Sequence, residues 1–371
     1  MYIIPLLTLW RGLPLLSPSR LKKDVTRLDS TITNAVGHNI TLNLEALAYL
    51  YSRVPFQIQR AYQIATALFA KQQSTTPITP AQLQILRLLD EHGHMMQTEL
   101  SNLAGTDKST AGLVLTNLLK QHLVDRHTDP EDKRRKRVMI TESGQAALAI
   151  AKTKQLEAED ILFEAMRPDQ REKLMTLLER LADEQPAPHT ASWLMRRCLQ
   201  AVEAHLSNEA GLFGLTLRQF CALHVVFCHP GIGEPSIRKL LGYEITNATL
   251  VVGLLREKGL INAKSGTSAS RKRYYATPMG RDVLLAVEPK LAAIATEFVR
   301  GFSDDDIAHL QRLLGQLILH HGDKVKAPLA AFAQVVALPS WPLPPAHTYV
   351  VEHRDALNEL NNRAHRQKEP A

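Results

Sequence analysis

Five consecutive cations, Lys133, Arg134, Arg135, Lys136 and Arg137, close the segment Asp129-Pro130-Glu131-Asp132-Lys133-Arg134-Arg135-Lys136-Arg137. A run of this kind suits a polyanion, because each cation that meets a phosphate releases condensed counterions, and arginine also fits the minor groove of a duplex. Upstream stand Ser109, Thr110, Thr116, Asn117 and Lys120, whose side chains can address base edges or phosphates. A second set follows, with Thr246, Asn247 and Thr249 and then Arg271, Lys272 and Arg273. Asn247 is of the type that pairs with adenine. No His-Glu-x-x-His, Gly-x-Ser-x-Gly, Walker loop or dinucleotide fingerprint occurs, so neither catalytic residues nor a cofactor is expected and the chain reads as a non-enzyme. His92 and His94 flank Gly93, and His320 adjoins His321, without Cys or carboxylate spacing that argues a metal; these read as structural or solvent-facing.

These groups need elements to hold them. Apolar residues at intervals of three and four predict a long helix over about 43–72 and another over about 80–92, ended by Gly93. Gln97 to Ala104 reads as a short helix, Gly105-Thr106 as a turn, and Asp107 as the N-cap of a helix running to about Gln121. Two short helices joined by a tight turn lay the second across a major groove. Leu123–His127 and Arg137–Thr141 have strand composition and enclose a polar turn, a hairpin that presents the cationic run.

The pattern recurs. Thr79 corresponds to Thr216 at an offset of 137, and the same offset relates Leu86 to Leu223, Leu100 to Ile237, Gly105 to Gly242, Ala111 to Ala248 and Leu118 to Leu255. Past the hairpin the offset is 136, relating Thr141 to Thr277, Gly144 to Gly280 and Leu174 to Leu310. The expected organisation is an N-terminal arm (1–40), a first repeat (41–185), a second repeat (186–322) that starts near Trp193 beyond Pro186 and Pro188, and a proline-rich C-terminal tail (323–371).

Asp129-Pro130-Glu131-Asp132-Lys133-Arg134 before a strand, followed by Thr141-Glu142-Ser143-Gly144, resembles the wing of the multiple-antibiotic-resistance regulators, the MarR-type winged-helix family. The resemblance covers roughly 43–183 and again 193–322. It implies a mainly α fold with small β wings, here as tandem winged helix-turn-helix repeats forming an intramolecular pseudo-dimer. It further implies that Arg134 enters the minor groove, that Ser109 and Thr110 begin the major-groove contacts, and that the chain is a sequence-specific double-stranded DNA-binding regulator. Such a protein would be a repressor responsive to a small lipophilic or phenolic effector. Two departures stand out. Gly112 and Leu113 occupy places where the family often has polar residues, and the second hairpin, Lys264 to Arg273, lacks the Asp-x-Arg element. The alternative reading is a winged-helix protein-interaction or architectural module with weak or non-specific DNA binding.

Composition agrees with a folded, DNA-directed chain. Of its 371 residues 45% are hydrophobic and 22% charged, which is globular, and 44 Lys and Arg against 37 Asp and Glu leave a charge of +7 that favours an anionic partner. Cys198, Cys221 and Cys228 form no disulfide framework and suit a reducing compartment; Cys221 and Cys228 fall on an apolar helical pattern and read as core. The apolar N-terminus has no leading basic residues and is broken by Pro5, Arg11, Pro14 and Pro18, so neither a signal peptide nor a membrane span is expected. It reads as a flexible arm or a start assigned too early, in a cytoplasmic protein.

Overall fold

Short-range hydrogen bonds set most of the element boundaries. In the computed structural model, which describes residue 50 and residues 53–73, 78–106, 108–128, 136–184, 189–208, 214–265 and 272–321, the first long helix is α1 (Val54–Gln72). The helix predicted over about 43–72 is interrupted at Arg53, and Leu50 before it is helical. Arg53 is extended (φ −72°, ψ 126°) and Pro55 sits in the first turn, where a missing N–H costs nothing; residues 43–49 lie outside the described residues. Helix α2 (Pro80–His92) starts from a reciprocal cap, Thr79 Oγ1 accepting from Gln82 N at 3.2 Å while Gln82 Oε1 accepts from Thr79 N at 2.8 Å. It stops at Gly93, whose φ of 74° a side chain would disfavour.

The elements that follow are β1 (Met95–Met96), α3 (Gln97–Leu103), α4 (Lys108–Lys120), β2 (Val124–Thr128), β3 (Lys136–Ile140), α5 (Glu142–Leu162) and α6 (Pro168–Ala182). The strands lie within a residue of their expected places, and Lys136 belongs to β3 rather than to the turn. They form a sheet of order β1-β3-β2, antiparallel throughout, with Thr128 opposite Lys136 and Met95 opposite Val138. Asp107, the expected cap of α4, lies outside the described residues.

A matching succession follows: α7 (Ala191–Asn208), α8 (Leu217–Cys228), α9 (Glu234–Leu241), α10 (Ile245–Glu257), β4 (Ile261–Ser265), β5 (Lys272–Ala276), α11 (Pro278–Phe298) and α12 (Asp304–His321). Local chemistry matches too. Thr216 and Gln219 form the same reciprocal cap as Thr79 and Gln82, and Ile232 bridges Tyr274 as Met95 pairs with Val138. Thr141 Oγ1 accepts from Gly144 N at 3.0 Å and donates to His122 O at 2.8 Å; Thr277 accepts from Gly280 N at 2.9 Å and donates to Gly259 O at 2.8 Å. Both glycines are dictated by packing, since a Cβ would fall 2.0 Å from Leu123 O in one case and 2.0 Å from Leu260 O in the other. The architecture is thus mainly helical with two small antiparallel sheets.

Helices α1, α6, α7 and α12 pack together and carry the largest apolar cluster, in which Ile64, Leu68, Leu178, Leu194, Leu314 and Leu317 are all buried. A second cluster joins α8 to α11, β4 and β5, with Leu50 and Phe56 from the other end of the chain. Long-range polar contacts tie the helices further. Asp306 accepts from Lys173 and Arg180, each at 2.9 Å, and its carboxyl is held down to about 2 by the Arg180 and Lys173 hydrogen bonds. Two contacts cross between the successions. Arg60 of α1 donates to Leu241 O at 2.9 Å, beside Gly242, and Gln200 of α7 donates to Ala104 O at 3.0 Å and Gly105 O at 2.8 Å. Gly105 (φ 58°) and Gly242 (φ 62°) are the left-handed turns just before α4 and α10, so each turn is held by a helix of the other succession.

Candidate nucleic-acid interface

Helix α4 buries Ala111, Leu115 and Leu118 and turns Ser109, Thr110, Thr116, Asn117 and Lys120 outward. This is the 3.6-residue period that a helix needs to pack on one side and read a groove on the other. Gly112 faces α3, where a Cβ would lie 2.9 Å from Gln97 Nε2, the movable end of a side chain whose amide donates to Lys108 O at 3.1 Å. Thr116 spends its hydroxyl on Gly112 O at 2.8 Å. Helix α10 repeats the division, with Ala248, Val251, Val252 and Leu255 buried and Thr246, Asn247 and Thr249 exposed. Thr249 is the least free of the three, since its Oγ1 lies 2.6 Å from Glu234 Oε1 and 3.0 Å from Ile245 O.

The hairpins stand beside these helices. Lys136 is exposed at the outer end of β3 and donates across the ladder to Thr128 Oγ1 at 2.7 Å, while Arg137 is half-buried. Lys133, Arg134 and Arg135 lie outside the described residues, as does Arg271. In the second hairpin Lys272 is exposed and the half-buried Arg273 turns inward, its guanidinium 3.4 Å from Gly231 O.

Several exposed residues have no place in the sequence-based site. Leu113 is 65% exposed and Leu250, 137 residues later, 59%. Each sits on the outward face of its helix, where an apolar contact to a thymine methyl is available. Their phase, opposite to the buried Ala111-Leu115-Leu118 series, marks them in the sequence. Arg126 and His127 are exposed on β2 and add to the hairpin's hydrogen-bonding surface.

Residues 78–136 match the MarR family. This stretch is a MarR family domain. It spans α2, β1, α3, α4, β2 and the first residue of β3. Over 126 residues the chain is 29% identical to the HTH-type transcriptional repressor NicR of Pseudomonas putida, covering 34% of this chain and 80% of NicR. Among solved structures it is 25% identical to BpsR of Bordetella bronchiseptica, whose DNA binding is described as regulated by 6-hydroxynicotinic acid, over 34% of this chain and 95% of that one, with a TM-score of 0.32. CouR, a transcriptional repressor solved on a 23-mer DNA duplex, is 31% identical over 33% of this chain and 85% of its own, with a TM-score of 0.30.

A cleft of about 260 Å³ lies behind the MarR domain, between α1, α2, α5 and α7. Tyr62 and Phe69, Leu83 and Arg87, and Trp193 and Arg196 face it from three of these helices. Arg87 donates to Gln155 Oε1 at 2.6 Å, and Gln155 donates to Ser192 Oγ at 3.1 Å and Thr190 Oγ1 at 3.2 Å. The shielded Nε of Arg87 finds no hydrogen-bond partner among the described residues. Burial lowers the Arg87 pKa, opposed by Glu159, and raises that of the Tyr62 hydroxyl, opposed by Arg196. Trp193 stacks on His189 with centroids 4.2 Å apart. The cleft therefore combines aromatic walls with two guanidinium groups, a match for a small aromatic anion.

The remaining candidates are engaged within the fold. All three cysteines are buried, and burial pushes the Cys198 and Cys221 thiols up to about 12 and Cys228 higher still. His320 lies 2.7 Å from Glu164 Oε1, and the buried His321 meets Leu162 O at 2.9 Å; with Glu164 these two rings are close enough to share an ion. Among the described residues no helix is long and apolar enough to cross a membrane.

Proposed function

We propose that the protein is a sequence-specific double-stranded DNA-binding transcription regulator, a ligand-responsive repressor whose single chain carries two winged helix-turn-helix units. The observation that carries this reading is the matched pair of outward helices, α4 and α10, each followed by a hairpin with exposed cations and each preceded by a left-handed glycine turn. The MarR family domain at residues 78–136 and the repressor NicR as a relative support it.

The units correspond to residues 41–185 and 186–322, and α1, α6, α7 and α12 hold them together as subunits would be held in a dimer. Intramolecular pairing benefits from the covalent link, which keeps the second unit at high effective concentration. One 41.4 kDa chain then binds one operator. Its two heads differ at Thr110 against Asn247, Gly112 against Thr249 and throughout the hairpin tip, so the half-sites they read differ as well. Ser109, Thr110, Asn117 and Lys120 address one half-site, assisted by Lys133, Arg134, Arg135, Lys136 and Arg137. Thr246 and Asn247 address the other, assisted by Arg271 and Lys272. The effector is a small aromatic acid or phenol held in the cleft by Arg87 and Arg196.

Selection from random duplexes followed by footprinting and light scattering tests the reading. Enrichment of one asymmetric motif, with two half-sites about 10 bp apart and one chain per duplex, is the expected result. A strict palindrome bound by two chains would refute the two-headed chain. The exposed Leu113 and Leu250 favour one rival, a protein-interaction module, and absence of any enriched motif would decide for it.

A further inference from the structure

Helices α2 and α8 correspond at an offset of 137 residues, yet they are buried differently. On α2 the buried residues are Gln82, Leu83, Ile85, Leu86 and Leu89, and the side bearing Gln84, Arg87, Leu88 and Glu91 opens on the cleft. On α8 every residue from Gln219 to Cys228 is buried. The cleft-facing positions have become Cys221, His224, Val225 and Cys228, and the opposite wall has changed in the same sense. By the same offset Trp193 corresponds to Phe56 and Arg196 to Gln59, and by the offset of 136 Gln155 corresponds to Leu291. Phe56 lies in one apolar cluster with Phe220, Cys221, Val225 and Cys228, and Leu291 packs against it. A polar opening in the first half is thus closed packing in the second, with His224 and Gln59 buried among apolar side chains. The counterparts of Arg87 and Arg196 are His224 and Gln59, neither of which carries a guanidinium to meet an anion.

We propose that the chain binds a single small aromatic anion, in the cleft between α1, α2 and α7, and that its counterpart beneath α8 is closed packing, so that one ligand governs both heads. This rests on the effector role proposed above. One site suffices because both of its long walls reach a head. Arg196 lies one turn before Gln200 on α7, and Gln200 holds the Ala104-Gly105 turn ahead of α4. Tyr62 lies two residues after Arg60 on α1, and Arg60 holds Leu241 ahead of α10. A ligand that shifts α1 against α7 therefore moves both turns, whereas two equivalent subunits would offer two such clefts. The response to ligand is hyperbolic, with one equivalent per chain.

Two measurements on the full chain test this. Calorimetric titration with salicylate and with 6-hydroxynicotinate is expected to give one site per chain, and Arg87→Ala with Arg196→Ala to weaken it on the order of tenfold or more. Two sites per chain would overturn the proposal, and so would binding that survives both substitutions. Thiol labelling under native conditions reads the clefts without any ligand. The unaltered chain is expected to label slowly, because Cys221 and Cys228 are sealed in, whereas Gln84→Cys and Ser192→Cys each add one rapidly labelled thiol. Rapid labelling of Cys221 or Cys228 would show the second place to be open and overturn the inference. Absence of saturable binding by either probe overturns the aromatic-anion assignment. Binding that leaves DNA affinity unchanged keeps the single site and overturns the effector role instead.

Discussion

Replacing Glu159 by glutamine removes one buried charge at the joint between α5 and α7. Glu159 is 7% exposed, and both its carboxylate oxygens lie 3.1 Å from the amide of Ala191, the first residue of α7. That amide, Arg171 at 3.9 Å and Arg87 favour the anion, while Asp160 opposes it; burial outweighs them and raises the carboxyl from its ordinary 4.5 to about 7. A carboxyl whose pKa rises on folding takes up protons when the chain folds. Its contribution is fully present below about pH 4.5 and is lost as the pH rises through about 7. At about 1.4 kcal/mol per pH unit that interval corresponds to ~3 kcal/mol, of which ~2 kcal/mol is expected once the site relaxes and admits water around the ionised group. Glutamine still accepts from the Ala191 amide and carries no proton equilibrium. Glu159→Gln should therefore be near neutral in stability at pH 5 and stabilising by ~2 kcal/mol at pH 8. Urea denaturation of both proteins at the two pH values gives the comparison. A variant equally stable or less stable than the parent at pH 8, with no change in the difference between pH 5 and 8, would refute the assignment of burial as the dominant effect.

Gly144→Ala and Gly280→Ala should each destabilise by on the order of 3 kcal/mol, because the added carbon meets a backbone carbonyl 2.0 Å away, while Gly253→Ala, with nothing within 4 Å, should stabilise α10 by about 0.5–1 kcal/mol; thermal melts of the three decide. Asp306→Asn should cost about 1 kcal/mol at pH 7, discounted because Lys173 and Arg180 are each 43% exposed, and the cost should fade as the pH drops from the ordinary 3.8 toward about 2, since a lowered carboxyl pKa stabilises only above that window. A pH-independent difference in urea midpoints would remove this pair from the account. Arg134→Ala with Arg135→Ala should weaken DNA binding and flatten the dependence of log affinity on log salt by about 1–2 in slope, measured by fluorescence anisotropy; an unchanged slope would take these residues out of the interface.

Features written in neighbouring residues were legible in the chain itself. The starts of α2 and α8 follow from Thr79 with Gln82 and Thr216 with Gln219, bonds that close over three residues. The first hairpin appears within one residue of its expected strands, because strand composition and a polar turn need no partner to be visible. The outward phase of Ser109, Thr110, Asn117 and Lys120 follows from the apolar period of α4 alone. What required the folded chain was set by contacts between distant residues. Thr249 is tied to Glu234, Arg273 turns to Gly231, and Arg60 reaches Leu241, 181 residues away. Glu159 reads as an ordinary helical glutamate until α7 starts against it, and Cys221 and Glu91 reveal nothing of a closed or open cleft until Phe56 and Trp193 are in place. Sequence alone determined which helices and hairpins form, because those signals are short-range hydrogen bonds and periodic burial. Tertiary structure decided which polar groups stay available to a ligand, because desolvation and pairing depend on what the rest of the chain brings within a few ångströms.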